Sequence, residues 1–203
     1  MPRGGNTRDR LIKSAIELTA SYGIENVTVR RIAEMLDYSE ATLYRHFGSR
    51  DELLVEALMT VDARISARFL ESPWLRDESL DLMECIHHIW RDVYRYLIDN
   101  PSETMFILRF RYSSLYTDEV RAKRKSYDGS FEEPMRLLGR AGSGGAGRLI
   151  SYKGFLPNYI FELTLCFTEK VIAGRVPDSP ESEEKLWSVI KAACVSLSGP
   201  ESA

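Results

Sequence analysis

The chain has few of the residues that disulfide frames, metal centres and catalytic clusters are built from. Of 203 residues only three are Cys and three are His. Cys85, Cys166 and Cys194 are odd in number, far apart and at apolar helical positions, which reads as free thiols in a reducing cytoplasm and not as a disulfide frame. With no CxxC and no Cys/His cluster, no metal and no cofactor is expected. No run approaches the roughly 20 apolar residues of a membrane-spanning helix. The short polar N-terminus has no signal-peptide pattern, so the expectation is a cytoplasmic protein without a membrane partner. The stretch 139–147, GRAGSGGAG, has five Gly in nine residues. It lacks the Lys-Ser/Thr of a phosphate loop and no strand precedes it, so it reads as a mobile loop. There is no nucleophile elbow and no metal-ligand spacing, and no catalytic residue is assigned.

What is present is ordinary in amount and uneven in placement. Apolar residues make up 44% and charged residues 28%, with a net charge of −3. The size fits one to two domains. Through Arg50 there are eight Lys/Arg against six Asp/Glu, and beyond it nineteen against twenty-four. The small basic excess therefore lies at the N-terminus, where the strongest pattern also lies.

That pattern is Val27–Leu54, VTVRRIAEMLDYSEATLYRHFGSRDELL. Thr28 can cap a short helix with Ile32, Ala33 and Leu36 on one face. Leu36-Asp37-Tyr38 reads as a turn, and Asp is among the residues that tolerate the positive φ such turns require. Ser39 can cap a second helix. There Leu43 and Phe47 face inward and Ala41 and Arg45 outward, with Thr42 and Tyr44 at the flank. Gly48 can end that helix, and Ser49 with Glu52 is a capping box opening another. Upstream, Asn6 or Thr7 starts a helix with Leu11, Ile12, Ala15, Ile16, Thr19 and Tyr22 on one stripe, ending at Gly23. Two short helices crossing at a tight turn commonly present the second to a DNA major groove.

Residues 8–54 resemble the N-terminal DNA-binding domain of the TetR/AcrR family of bacterial transcriptional regulators. The matching residues are Ile12, Ala15, Tyr22 and Gly23, then Thr28, Ile32 and Ala33, then the runs Thr42–Phe47 and Ser49–Leu54. Asp37 stands where the family usually has Gly, and Tyr38 where it has a small apolar residue. The resemblance implies that Tyr44 and Arg50 touch phosphates and that Thr28 gives its hydroxyl to the DNA backbone. It implies too that Ser39, Ala41, Thr42 and Arg45 lie toward base edges, where Arg45 can grip guanine with two donors. Glu40 is either a reader of cytosine N4–H or a solvated charge at a helix N-terminus. Tyr44 has a second reading as an amphipathic residue half buried against the domain. His46 is expected to pack or bond to backbone, and for Arg30 and Arg31, close together in sequence, a solvated helix charge is one reading of either.

Beyond Arg50 the signals are helical. Leu53, Leu54, Ala57, Leu58, Val61, Ile65 and Phe69 mark one helix, stopped by Pro73. Leu82–Leu97 carries a wide apolar stripe. Asn100-Pro101-Ser102-Glu103 is a complete helix start, and a weak helix spans about 118–138. Two last helices, about 151–173 and 179–197, carry broad apolar faces. They can finish a monomer core or form half of a four-helix dimer interface, and the resemblance implies the dimer. The fold class expected is all-α. It comprises an N-terminal three-helix DNA-binding domain, 1–48, and a larger helical effector-binding and dimerisation domain, 49–203.

His87, Trp90, Tyr94, Phe106, Phe110, Tyr112, Asn158 and Phe161 are candidate ligand-binding residues, since aromatic groups with a few polar ones suit an apolar cavity. Each can equally be plain core. The function the resemblance implies is a homodimeric, ligand-responsive transcriptional regulator, more often a repressor, on a double-stranded, pseudo-palindromic DNA operator. Its effector would be small and largely apolar. The alternatives are an activator or co-regulator of the same fold, a helical binding protein or enzyme without DNA binding, and an interaction module that has lost its DNA site.

Overall fold

The structure is a computed structural model that describes residues 7–128 and 155–198; the side chains of 125–128, 155–158 and 196–198 lie outside that description. Among the described residues the regular structure is entirely helical, with nine α-helices and two short 3₁₀ turns. The all-α expectation holds.

α1, Thr7–Tyr22, buries Leu11, Ile12, Ala15 and Ile16. It ends at Gly23, whose φ of 86° is a conformation that a side chain resists. After a 3₁₀ turn, Ile24–Asn26, α2 spans Val29–Leu36. Thr28 caps α2, its hydroxyl accepting from the Arg31 N–H at 3.2 Å. Asp37 then takes the left-handed conformation, φ 55°, ψ 48°, and the Tyr38 N–H reaches back to the Ala33 carbonyl at 2.9 Å. This is the helix-ending turn that glycine usually provides.

α3, Glu40–His46, follows after two residues. Ser39 stands at its N-cap position but does not cap it; its hydroxyl pairs with that of Thr42 at 3.0 Å. Gly48 is not the stop either. The chain leaves the helix at Phe47, which turns extended at φ −140° to drop its ring into the core. The Gly48 N–H instead donates to Glu52 Oε2 at 2.9 Å, while Ser49 Oγ accepts from the Glu52 N–H at 3.0 Å. The capping box therefore works with its outer bond moved one residue upstream. It opens α4, Arg50–Leu70, where Leu53, Leu54, Ala57, Leu58 and Val61 have no exposed surface.

Pro73 begins a 3₁₀ turn, Pro73–Arg76. α5, Leu82–Asp99, starts at a full capping box that the sequence reading missed. The Glu84 N–H donates to Asp81 Oδ1 at 2.8 Å, and the Asp81 N–H to Glu84 Oε2 at 2.9 Å. α6, Pro101–Arg111, starts at Asn100-Pro101 as the sequence suggests, and α7 spans Asp118–Asp128. The rest of the expected 118–138 helix and the glycine-rich loop lie outside the described residues. α8, Phe155–Ile172, ends at Gly174 with φ 69°. α9, Pro180–Ser198, is capped by Ser179, whose Oγ accepts from the Ser182 N–H at 3.2 Å.

The described residues fall into two compact units. One lies within Met1–Arg64 and Asn100–Ser126, the other within Ile65–Asp99 and Tyr127–Ala203. The first holds α1–α3, the N-terminal part of α4, and α6–α7. Its core includes Ile32, Leu43, Leu54, Phe106 and Phe110, each 2% exposed or less. Compactness thus divides the chain elsewhere than at residue 48, because α6 packs along α1. Arg109 Nη1 donates to the Thr19 carbonyl at 2.8 Å, and Arg124 forks onto Asp62. The second unit holds α5, α8 and α9 around Trp90, Tyr94, Trp187 and Ile190. Trp90 Nε1 donates to Thr164 Oγ1 at 3.0 Å, and Arg91 and Arg95 both pair with the buried Glu183. No described helix is long and apolar enough to cross a membrane.

Candidate nucleic-acid interface

α3 has one face committed to the core and one left to water. Leu43 is 1% exposed and Phe47 2%, whereas Tyr44 is 55% exposed. Ser39, Glu40, Ala41 and Arg45 are exposed and Thr42 is half-buried. Seven residues are two turns, too few to stand alone in water. The helix is held beside α2 by the buried Leu43 and Phe47, with the Arg8 guanidinium of α1 over the Phe47 ring, which fixes the direction of the outward groups. Ala41 has no bulk, so a second surface can approach closely there, and the flanking hydroxyls and Arg45 supply donors. This fits the reading of base edges by the second helix of a helix-turn-helix.

The structure assigns the remaining expected residues unequally. Thr28 is exposed at the start of α2 but its hydroxyl already serves the cap. Arg50 is spent inside the unit. Nε donates to the Val27 carbonyl, Nη2 to the Ile24 carbonyl and Nη1 to Asp51 Oδ1 at 2.8 Å. Its donors tie the turn between α1 and α2 to α4, where the sequence reading placed them on a phosphate. His46 is half-buried. Tyr38, at the unusual turn, lies under the Arg10 guanidinium, 5.0 Å from the ring centre, and its hydroxyl accepts from the same arginine. The ring thereby gains a partner that a small apolar residue would not have.

The expected ligand residues are divided between the two units. Phe106 and Phe110 are fully buried, tilted against each other in the first unit, while Trp90 and Tyr94 belong to the core of the second. Tyr112 is 82% exposed, because α6 ends just before it. Phe161 is half-buried on α8, and the Asn158 side chain lies outside the described residues. His87 stacks on Trp187 with centroids 4.2 Å apart, and burial holds its imidazole below its ordinary pKa. The Tyr94 hydroxyl is buried with no hydrogen-bond partner. Trp187 was missed in the sequence reading, although it falls on the α9 stripe between Leu186 and Ile190. Among the described residues no group of three or more His, Cys, Asp or Glu is placed to hold a metal ion.

The outward face of α3, behind a left-handed turn and beside a capped α4, lies inside a stretch that other proteins share. Residues 11–57 match the family described as bacterial regulatory proteins, tetR family. This N-terminal segment is similar to that family. The regulator TcmR of Streptomyces glaucescens is 39% identical over 56 residues, 28% of this chain and 25% of that protein. The repressor KstR of Rhodococcus jostii is 38% identical over 66 residues, 32% and 31% of the two chains. The chain thus spans about a quarter to a third of the length of these curated relatives. Likeness of fold runs much further. A TetR-family transcription regulator from Marinobacter aquaeolei superposes with a TM-score of 0.73 over 92% of this chain and 94% of that one, at 19% identity. The TetR-like fold therefore extends over the C-terminal helices.

Proposed function

We infer that the protein is a sequence-specific DNA-binding transcriptional regulator, most simply a repressor that blocks a promoter as a homodimer in the cytoplasm. One observation carries this reading. The short helix α3 spends Leu43 and Phe47 on the core and presents Glu40, Ala41, Tyr44 and Arg45 outward, within the family-matching segment. Ser39, Ala41, Thr42 and Arg45 face base edges in the proposal, and Tyr44 and Thr28 face phosphates. Arg50 is left to hold the head together. The functional division stays at residue 48, with 49–203 serving dimerisation and effector binding.

Dimerisation is supported by apolar groups that α8 and α9 leave exposed: Tyr159 at 59%, Leu163 at 40%, Val189 at 56% and Val195 at 54%. A twofold pair of these helices would cover them. A dimer reads two half-sites about 34–36 Å apart, which gives a two-turn reading helix the contact area it lacks alone. The effector reading is supported by the second unit, where Tyr94, in a cluster with Trp90 and Trp187, has a buried hydroxyl without a hydrogen-bond partner. A small, largely apolar molecule with one hydrogen-bonding group fits that chemistry.

The test is binding of the purified protein to DNA upstream of its own gene, beside a random duplex, at two salt concentrations. Tight, sequence-dependent binding that weakens steeply with salt supports the regulator. Weak binding equal on both duplexes, with or without small-molecule extracts, removes it in favour of a helical binding protein.

A further inference from the structure

The core of the second unit contains a polar group that its neighbours leave out. Tyr94 on α5 is fully buried, and its hydroxyl has no hydrogen-bond partner. Polar groups close by in the same unit are satisfied. Trp90 Nε1, one turn earlier, donates to Thr164 Oγ1, which in turn donates to the Ile160 carbonyl at 2.6 Å. Thr168 Oγ1 donates to the Thr164 carbonyl at 2.7 Å. An unmet buried hydroxyl costs as much as a lost hydrogen bond, and a ligand that meets it recovers that cost. Burial pushes the Tyr94 pKa above its ordinary value, so the group stays a donor.

The surroundings narrow what can meet it. His87, Trp187, Trp90 and Tyr94 follow one another as stacked rings, with centroids 4.2, 5.3 and 5.4 Å apart and successive planes within 29° of parallel. A flat molecule packs on such a layer by offset stacking. The Arg95 guanidinium lies 5.3 Å from the Tyr94 ring centre and its side chain is 35% exposed, so the cluster comes near the surface there. The charges at this edge are matched, two cations on two carboxylates. Arg91 Nε pairs with Glu183 Oε1 at 2.7 Å, and Arg95 donates to Glu183 and to Asp178 Oδ1 at 2.9 Å. A charged ligand would give up its water to meet groups that are already engaged, and a neutral one would not.

We propose that the Tyr94 hydroxyl anchors the effector, donating to a carbonyl-type acceptor on a neutral, planar, otherwise apolar molecule that lies against the Trp90 and Trp187 rings. The proposal rests on the effector reading above and deepens it by naming the donor and the class of ligand.

The experiment is equilibrium dialysis of the full-length protein against three flat probes of similar size. Coumarin is neutral with a carbonyl acceptor, naphthalene lacks the acceptor, and 2-naphthoate carries a charge. Wild type is expected to bind coumarin more tightly than either of the others. Y94F should weaken coumarin by about three- to tenfold, leave naphthalene unchanged, and melt at or above wild type, because it removes an unmet buried group. W187F should weaken coumarin and naphthalene alike and keep their ratio. A Y94F protein that melts earlier than wild type would show that the hydroxyl has a structural partner and would overturn the anchor. So would a coumarin preference that survives Y94F or that collapses with W187F. Tighter binding of 2-naphthoate than of coumarin would overturn the neutral class. Equal binding of coumarin and naphthalene by wild type would remove the anchor and keep the effector reading. Binding of none of the three probes would remove both the anchor and an effector site in this cluster.

Discussion

At the scale of single residues the head separates groups that look alike in sequence. Tyr44 and Arg45 are neighbours on α3 and both are exposed, but their chemistry suits different parts of DNA. Arg45→Ala is expected to relax base preference at one position in each half-site and to cost about 1–3 kcal/mol there. Tyr44→Phe is expected to weaken all sequences alike. Binding profiles on a randomised operator library read both, and a profile unchanged by Arg45→Ala removes that residue from the reading set. Arg50 is also an arginine of the N-terminal unit, yet three acceptors of its own chain occupy it. Arg50→Ala should lower unfolding stability by about 1.5–3 kcal/mol, the range for bonds to a charged donor, while leaving the salt slope of DNA binding near wild type. Lysine should not rescue it, because a point charge cannot serve two carbonyls held by a planar fork. A lost slope with normal melting would restore the phosphate role. Little in the local sequence distinguishes these arginines, because the two carbonyl acceptors of Arg50 lie 23 and 26 residues away.

At the scale of elements, the turn between α2 and α3 tests what the left-handed residue contributes. Asp37 holds φ 55° without the freedom of glycine. Asp37→Val should cost about 1–2 kcal/mol, and Asp37→Gly should be neutral or slightly stabilising. Urea unfolding midpoints rank the three proteins, and a valine variant as stable as wild type would contradict the conformational argument. The packing of α5 on α9 offers a second test. Burial lowers the His87 pKa from its ordinary 6.5, and Glu184, His88, Arg91 and Glu183 also face it. The unfolded chain therefore takes up this proton at higher pH than the folded one. The His87 contribution to stability is present above about 6.5 and is lost as pH falls below it. A His87→Gln variant should show a flatter loss of stability between pH 7 and 5 than wild type; parallel curves would mean that the ring titrates normally. Helix starts at Thr28, Ser49 and Ser179 were legible in sequence because caps are local chemistry. Ser39 does not cap α3, and its hydroxyl pairs with that of Thr42 instead.

At the scale of the whole molecule, the proposed dimer is open to test. Leu163→Glu places a charge on the apolar face of α8 that a partner would cover. It is expected to shift the protein to monomer in sedimentation and to reduce operator affinity by tenfold or more, about 1.4 kcal/mol. The exposed Cys166 lies three residues on, so its labelling by a thiol reagent should be slow in wild type and fast in the variant. Cys85, buried and pushed up to about 11 by that burial, should stay slow in both. A Leu163→Glu protein that remains dimeric would place the interface elsewhere.

The sequence by itself determined the class of fold, the start of most helices and the face that α3 turns outward. These follow from period, capping and turn chemistry, which act within a few residues. Only the tertiary structure decided that α6 and α7 join the N-terminal unit, that Arg50 bonds within that unit while Arg30 is outward, and that Phe106 and Phe110 belong to one unit and Trp90 and Tyr94 to the other. Each depends on which distant group meets a side chain when helices pack, and helical periodicity shows that a residue is buried without showing against what.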